Sequence, residues 1–410
     1  MANATLTKEQ EVLLNLTAMS ISDSPQNLIL PDSNLLNVDF KDVLRESIIN
    51  SITFATFNVL SFYKKYISDE IYNAWNKRGL IALSNNYVVN SSQNELIKIL
   101  NENNFKYTII KGTSSSIYYP HPEYRALGDV DFLIDSESCE EITNVLIQNG
   151  YVKNPENHIS HIIFNKENAH LEMHFKVAGI PNNEHKEEVE NFLKLAIETS
   201  VNSTYDNSVF KSPSSLFHGV IIILHTQHHL LNEGLGLRHL CDFATFVNKT
   251  KDEKFWVAEL IPFLKRVGLY NFVNIFTNLC VKYLNIEKPS WATNCESSLL
   301  DELILDILSS GNFGCKDVKK AKSAVYLAQK GEKDRGKLFN VLKKLHNAVL
   351  IKYPIVKKLW ILYPFLFIYR FLRHLILIIF GKRQSVFTLM PEAEKRNKLY
   401  KKLKIFKTKK

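Results

Sequence analysis

Several features that would settle a function class at once are scarce in this chain. Its five cysteines, Cys139, Cys241, Cys280, Cys295 and Cys315, are scattered, with no CxxC pair. That pattern argues against a zinc ribbon or a dense disulfide framework, and reduced structural thiols in a cytoplasmic protein are expected. Uninterrupted apolar runs of membrane-spanning length are also lacking. The best candidate, LWILYPFLFIYRFLRHLILIIF at 359–380, carries Arg370, Arg373 and His374 in its middle and Pro364 near its start. Central arginines argue against a simple span. A helix packed on the body is expected there, with peripheral contact to an anionic membrane as the alternative. The first residues, MANATLTKEQEVLLNLT, hold no basic run leading into an apolar stretch, so no secretory signal is expected.

A charge excess spread over the body is missing too. The formal net charge is +9, yet residues 395–410, KRNKLYKKLKIFKTKK, contain nine Lys or Arg and no acid. Taking those nine from the 51 basic residues leaves 42 against 42 acidic ones. The excess therefore reads as one basic C-terminal tail on a neutral body, which does not suggest a nucleic-acid-binding body. RNA contact through the tail is possible but not favoured. Internal repeats and low-complexity linkers are absent, so domain limits rest on changes of hydrophobic pattern alone.

Those changes divide 410 residues, enough for two or three domains, into four regions. Residues 1–95 show helix-period apolar positions between Ser/Asp/Asn-rich loops. Residues 96–180 mix types: NELIKILNENN as a helix, FKYTIIKG as a strand ending at Gly112, and DVDFLID as a second strand. SCEEITNVLIQNG follows as a helix closed by glycine, then HIIFN and HLEMHFKV as a hairpin around KENA. Residues 181–350 read as helical again, with an apolar SPSSLFHGVIIILHTQHHLLNE helix turning into GLRHLCDFATFVNKT. Residues 351–410 hold the apolar helix and the basic tail. The expected class is α+β, a small mixed-sheet core flanked by N-terminal and C-terminal helical regions.

Within the core one stretch is unusual, KGTSSSIYYPHPEYRALGDVDFLID at 111–135. Strand alternation puts Asp129 and Asp131 on one face, with Val130, Phe132 and Ile134 on the other. Two carboxylates so close repel unless a cation lies between them, and hard oxygen ligands suit Mg²⁺. A solvent-facing pair at a strand edge would also explain a bare DxD. Upstream, Gly112 at a strand end precedes Thr113, Ser114, Ser115 and Ser116, a combination of backbone N–H groups and hydroxyls suited to phosphate. Arg125, four residues before Asp129, is placed to neutralise phosphate charge.

These residues resemble the polymerase-β-like nucleotidyltransferase superfamily, and more narrowly its branch of largely uncharacterised bacterial nucleotidyltransferases. Lys111, Gly112, Tyr119, Pro120, Arg125, Gly128, Asp129 and Asp131 stand at the places of Leu-Lys-Gly, Tyr-Pro and Arg-x-x-Gly-Asp-x-Asp. LHTQHHLLNEGLGLRHLCDF is similar to that branch's downstream helical element. The residue after Gly112 departs from the superfamily pattern, being Thr where Gly or Ser is usual. The resemblance implies a Mg²⁺- or Mn²⁺-dependent nucleotidyltransferase that moves a nucleoside monophosphate from an NTP, such as ATP, to an acceptor and releases pyrophosphate. The alternative is a catalytically degenerate nucleotide-binding or regulatory protein on the same scaffold.

The resemblance makes Asp129, Asp131 and Glu172 the metal-binding and catalytic set, Glu172 being the third carboxylate or a general base. Lys111, Gly112, Thr113, Ser114 and Arg125 would bind the triphosphate; Lys111 also reads as a solvated strand-end lysine. His174 reads equally as a site group or a buried hydrogen-bonded histidine. His225 and His229 share one helix face, as do Arg238 and Asp242 on the next helix. Structural pairing across that helical hairpin is the preferred reading, since His225, His228, His229 and Asp242 match no standard structural zinc spacing. The acceptor, a small molecule, peptide or protein, is not readable.

Overall fold

The computed structural model describes residues 5–156, 158, 160–316, 346, 349–350, 352–357, 359–379 and 386–407. Helices α1 (Lys8–Ser20), α2 (Asp32–Leu35), α3 (Phe40–Ile49), α4 (Thr53–Val59) and α5 (Asp69–Glu102) come first. A mixed segment follows: β1 (Tyr107–Ile109), the single turn α6 (Thr113–Ser116), β2 (Val130–Ile134), α7 (Cys139–Gln148), β3 (Val152–Lys153), β4 (His161–Lys166) and β5 (Ala169–His174). Next come α8 (Lys186–Glu198), β6 (Val201–Tyr205), β7 (Ser208–Ser212), α9 (Ser215–Leu231), α10 (Leu237–Lys249), α11 (Ile261–Arg266), α12 (Tyr270–Leu284) and α13 (Ser297–Ser310). Helices α14 (Tyr363–Ile379) and α15 (Val386–Lys402) lie towards the C-terminus.

The fold combines helices with a mixed five-stranded sheet of order β1-β2-β5-β4-β3. Strand β2 pairs in parallel with β5, and the other neighbours are antiparallel. The period-2 pattern of DVDFLID and HLEMHF explains its two faces. Val130, Phe132, Ile134, Leu171 and Met173 bury themselves with Leu96 and Leu100 of α5 and Ile142 and Leu146 of α7. The opposite face carries Asp131, Glu172 and His174. A second, larger core collects apolar residues of α1, α3, α9, α10, α12, α13 and α15.

One helix serves both cores. The 34-residue α5 runs past residue 95 without a break; Trp75 near its start packs in the large core, and Val89 to Leu100 pack on the sheet. Ser68 caps its first turn. Asn85 and Asn86, near its middle, clamp the loop that leads into β2. Asn86 donates to the carbonyls of Glu123 and Arg125 at 3.0 Å each and accepts from Leu127 N–H at 2.8 Å, and Asn85 donates to Leu127 O at 2.8 Å.

Three parts of the chain differ from the sequence expectation. The region read as helical after residue 181 contains the β6–β7 hairpin. Its turn, Asp206–Asn207, takes φ of +44° and +62°, a left-handed pair that Asp and Asn tolerate better than most residues. Tyr205 and Phe210 anchor the hairpin in the sheet core. The basic segment is no loose tail as far as residue 407. Arg396, Leu399, Tyr400 and Leu403 recur at helical spacing on one buried face, and Ile405 and Phe406 continue it into the large core. Arg396 is satisfied there by Leu230 O at 3.0 Å and the Tyr400 hydroxyl at 2.9 Å. Conversely, α14 and the turn before it are not sunk into the body: Trp360 and Ile361 of the turn and Phe365, Ile368, Leu372 and Ile376 of the helix are 51–77% exposed. Among the described residues no helix is long and apolar enough to cross a membrane.

Candidate active site

The site is assembled from strand ends. Register pairs Asp131 on β2 directly with Glu172 on β5, so parallel neighbours place two carboxylates side by side on one face. Asp129 precedes β2 by one residue on that same face, and its carboxylate lies close to those of Glu172 and the imidazole of His170. The β4–β5 pairing sets His161 opposite His174. Ile110 N–H donates to Asp131 O at 3.0 Å, which fixes the end of β1 beside the aspartates and brings Lys111 with it.

Positive groups hold this acidic cluster in the interior. Lys111 Nζ lies 2.6 Å from Asp131 Oδ1. His174 Nε2 reaches the same oxygen at 2.7 Å and Glu172 Oε2 at 3.3 Å. Burial alone disfavours every one of these charges, and the mutual pairing outweighs it. Asp131 is thus held below the usual carboxylate range, and Glu172 at about 2. Lys111 and His174 are raised above their ordinary values for the same reason.

Gly112 turns the chain out of β1 with φ +55° and ψ −116°, a conformation that L side chains avoid. The hydroxyls that follow face inward. Thr113 Oγ1 donates to Gln93 Oε1 at 2.6 Å, Ser114 Oγ donates to Ile109 O, and Ser116 Oγ donates to Thr113 O at 2.7 Å. All are buried, and these bonds stabilise the turn itself. Arg125 is committed to protein as well. It forms a two-pronged pair with Asp242 of α10, Nε to Oδ1 at 2.7 Å and Nη2 to Oδ2 at 2.8 Å, and the Tyr119 hydroxyl donates to Oδ1 at 2.7 Å.

Asp242 therefore pairs with Arg125 and not with Arg238 of its own helix, correcting the expected tie within the α9–α10 hairpin. Arg238 reaches instead across to Ala126 O at 3.3 Å, and its Nη1 sits beside Gly128. Burial pushes its guanidinium down, with the charge of Arg125 adding to the effect.

A cavity of about 640 Å³ opens over these groups. Its lining includes Lys111, Gly112, Arg125, Asp129, Asp131 and Glu172, all marked in the sequence, together with His174, His225, His229 and Arg238. Thr113 and Ser114 are buried and do not line it. The sequence reading missed His161, Lys176, Glu233, His239 and Phe313, which line it too. The hairpin register was the available clue for His161, because it places that residue opposite His174. His239 carried no periodic signal: it sits next to Arg238, on a helix whose face could not be assigned without its partner.

A family model described as "uncharacterised nucleotidyltransferase" matches residues 38–285, which takes in the whole sheet, α9, α10 and all of the residues just named except Phe313. No curated protein matches the chain.

Proposed function

This chain belongs to the uncharacterised nucleotidyltransferase family, and from that premise we propose that it transfers a nucleoside monophosphate from an NTP to an acceptor, with loss of pyrophosphate. The observation that carries the reading is the in-register pair Asp131–Glu172, with Asp129 on the same face and Lys111 at 2.6 Å from Asp131. Three carboxylates lining one cavity supply hard oxygen donors, which fit Mg²⁺ or Mn²⁺, with the imidazoles of His170 and His174 beside them. Asp129, Asp131 and Glu172 would hold the ions, and a divalent ion so placed neutralises phosphate charge and lowers the pKa of an attacking oxygen.

The chain's own groups supply the rest. Lys111 is a protonated point charge at the cavity floor, suited to a β- or γ-phosphate. The Gly112 turn lets the backbone approach that phosphate closely. Arg238, which has no carboxylate pair among the described residues and sits beside Gly128, adds a second cation at the mouth of the DxD loop. Arg125 acts through position: its pair with Asp242 pins the loop before β2 to α10, and so sets where Asp129 stands. Transfer of this kind depends on in-line placement and charge neutralisation more than on covalent catalysis by protein groups. The wall contributed by α9 and α10 is left for the acceptor.

A non-catalytic reading is favoured by one feature: Lys111 and His174 both occupy Asp131 Oδ1. Titration calorimetry of ATP, CTP, GTP and UTP, with and without Mg²⁺, tests the proposal against wild type and the Asp129→Asn/Asp131→Asn variant. Mg²⁺-dependent binding lost in the variant supports it. Binding of equal strength in the variant, with or without metal, would remove the carboxylates from the site. Tight binding with no pyrophosphate release over a broad panel of acceptors would favour the non-catalytic reading.

A further inference from the structure

We propose that His225, His229 and His239 form a second metal site in the cavity wall, for a divalent transition-metal ion with Zn²⁺ as the best match. This inference stands apart from the carboxylate chemistry and does not depend on it. Helix α9 stacks His225 and His229 one turn apart, and α10 returns along it to bring in His239. One ligand atom from each residue lies within 4.8 Å of the other two. His225 Nε2 and His229 Nε2 are 2.9 Å apart. Nitrogens on a tetrahedral ion with bonds of about 2.0–2.1 Å stand roughly 3.3 Å apart, so a small ring rotation fits this pair to an ion, and His239 closes on it from within 4.8 Å.

Ordinary hydrogen bonding does not account for the cluster. A bond between His225 and His229 satisfies one nitrogen of each. His239 is 2% exposed, and neither of its ring nitrogens has a protein hydrogen-bond partner among the described residues. An imidazole that lines a cavity without a protein partner is satisfied by what the cavity holds, a water or an ion. Glu233 Oε2 lies 3.3 Å from His229 Nδ1, the place where a supporting carboxylate fixes the tautomer and leaves Nε2 free to ligate.

Burial pushes all three imidazoles below their usual range; neighbouring cations and imidazoles add to this at His225 and His239, while at His229 the Glu233 carboxylate opposes it. The neutral imidazole is the ligand form. Cations near the cluster are engaged elsewhere: Lys111 with Asp131, Arg125 with Asp242, and Arg238 with Ala126 O, its guanidinium lying over the Phe313 ring. Phe313 also packs edge-on against His229 and His239 and shields them. Three protein ligands that line an open cavity leave one coordination position for an oxygen of whatever molecule occupies it.

Untagged full-length protein, stripped with chelator, reloaded with Zn²⁺ and dialysed, would be assayed for metal by mass spectrometry. Co²⁺-loaded samples would be assayed for tetrahedral visible absorption. One equivalent per chain is expected in wild type and in Asp129→Asn/Asp131→Asn. It should be lost in His239→Asn and in His225→Gln. Because His239 is buried and His225 half-buried, Glu233→Gln on the cavity rim gives an independent reading, with affinity expected to fall about 10- to 100-fold. Absence of stoichiometric Zn²⁺ and of the Co²⁺ bands in wild type would overturn the proposal. So would metal that survives His239→Asn and Glu233→Gln but disappears from the double Asp variant, since the ion would then belong to the carboxylates.

Discussion

His218 shows how one buried residue ties the fold to pH. It is fully buried on α9, and its Nδ1 meets the Tyr118 hydroxyl at 3.1 Å. Burial pushes its imidazole from an ordinary value of 6.5 down to about 3. The folded state therefore refuses a proton that the unfolded chain accepts below pH 6.5. Stability should fall as pH drops from 6.5 towards 3, by up to about 1.4 kcal/mol per pH unit from this group. His225 and His239, also depressed by burial, act with the same sign. In His218→Asn the amide can still meet Tyr118, and urea unfolding should show a shallower loss between pH 7 and pH 5 than wild type. An unchanged slope would mean that His218 is protonated in the native state. None of this was legible in sequence, where His218 is one apolar-flanked histidine among many. Asp129 and Asp131 were legible, because alternation places them on a face by itself.

Elements are held together by the Arg125–Asp242 pair, which joins the loop before β2 to α10 and is closed by Tyr119. Removing one member of a buried pair leaves the other charge uncompensated. Asp242→Asn should cost about 3–5 kcal/mol, whereas Arg125→Met/Asp242→Leu should recover most of that loss. Urea midpoints with a double-mutant cycle measure both. Near-additive losses in the double variant would show that the pair does not act as a unit. Nucleotide binding should weaken in the double variant even where stability returns, because the loop carrying Asp129 loses its anchor. At this scale the sequence marked Arg125 and Asp242 separately, Arg125 for phosphate and Asp242 for a tie within its own helical hairpin, and did not link them. They are 117 residues apart, and no local spacing connects them.

For the molecule as a whole, the surface of α14 stands out. Ile361, Phe365, Ile368, Leu372 and Ile376 recur every three or four residues and are all at least half exposed, with Trp360 at the entry and Arg373 exposed beside them. We propose that this apolar, basic-flanked face rests on anionic lipid, its apolar side chains entering the acyl boundary. Co-sedimentation with vesicles should show binding to phosphatidylserine-containing vesicles, weaker binding to neutral ones, and loss on Phe365→Glu/Ile368→Glu. Failure to bind anionic vesicles would overturn the idea. The same residues gave the sequence expectation of a packed helix. Apolar content alone does not say whether a helix is covered; that depends on whether a complementary face exists elsewhere.

Local rules therefore determined a good part of this protein: the helical flanks, the strand leading towards Gly112, the DxD strand, the β4–β5 hairpin and the one-face grouping of Asp129 with Asp131. Each depends on side-chain period, turn chemistry or residue type within about ten residues. Tertiary structure alone decided which groups meet: Glu172 beside Asp131, Arg125 on Asp242, His239 on the α9 histidines, and the docking of the basic C-terminal helix through Arg396. It also turned the Thr113 and Ser114 hydroxyls inward. Those outcomes depend on strand register and helix packing between distant segments, and the energy that selects them comes from burial and charge pairing that no single segment contains.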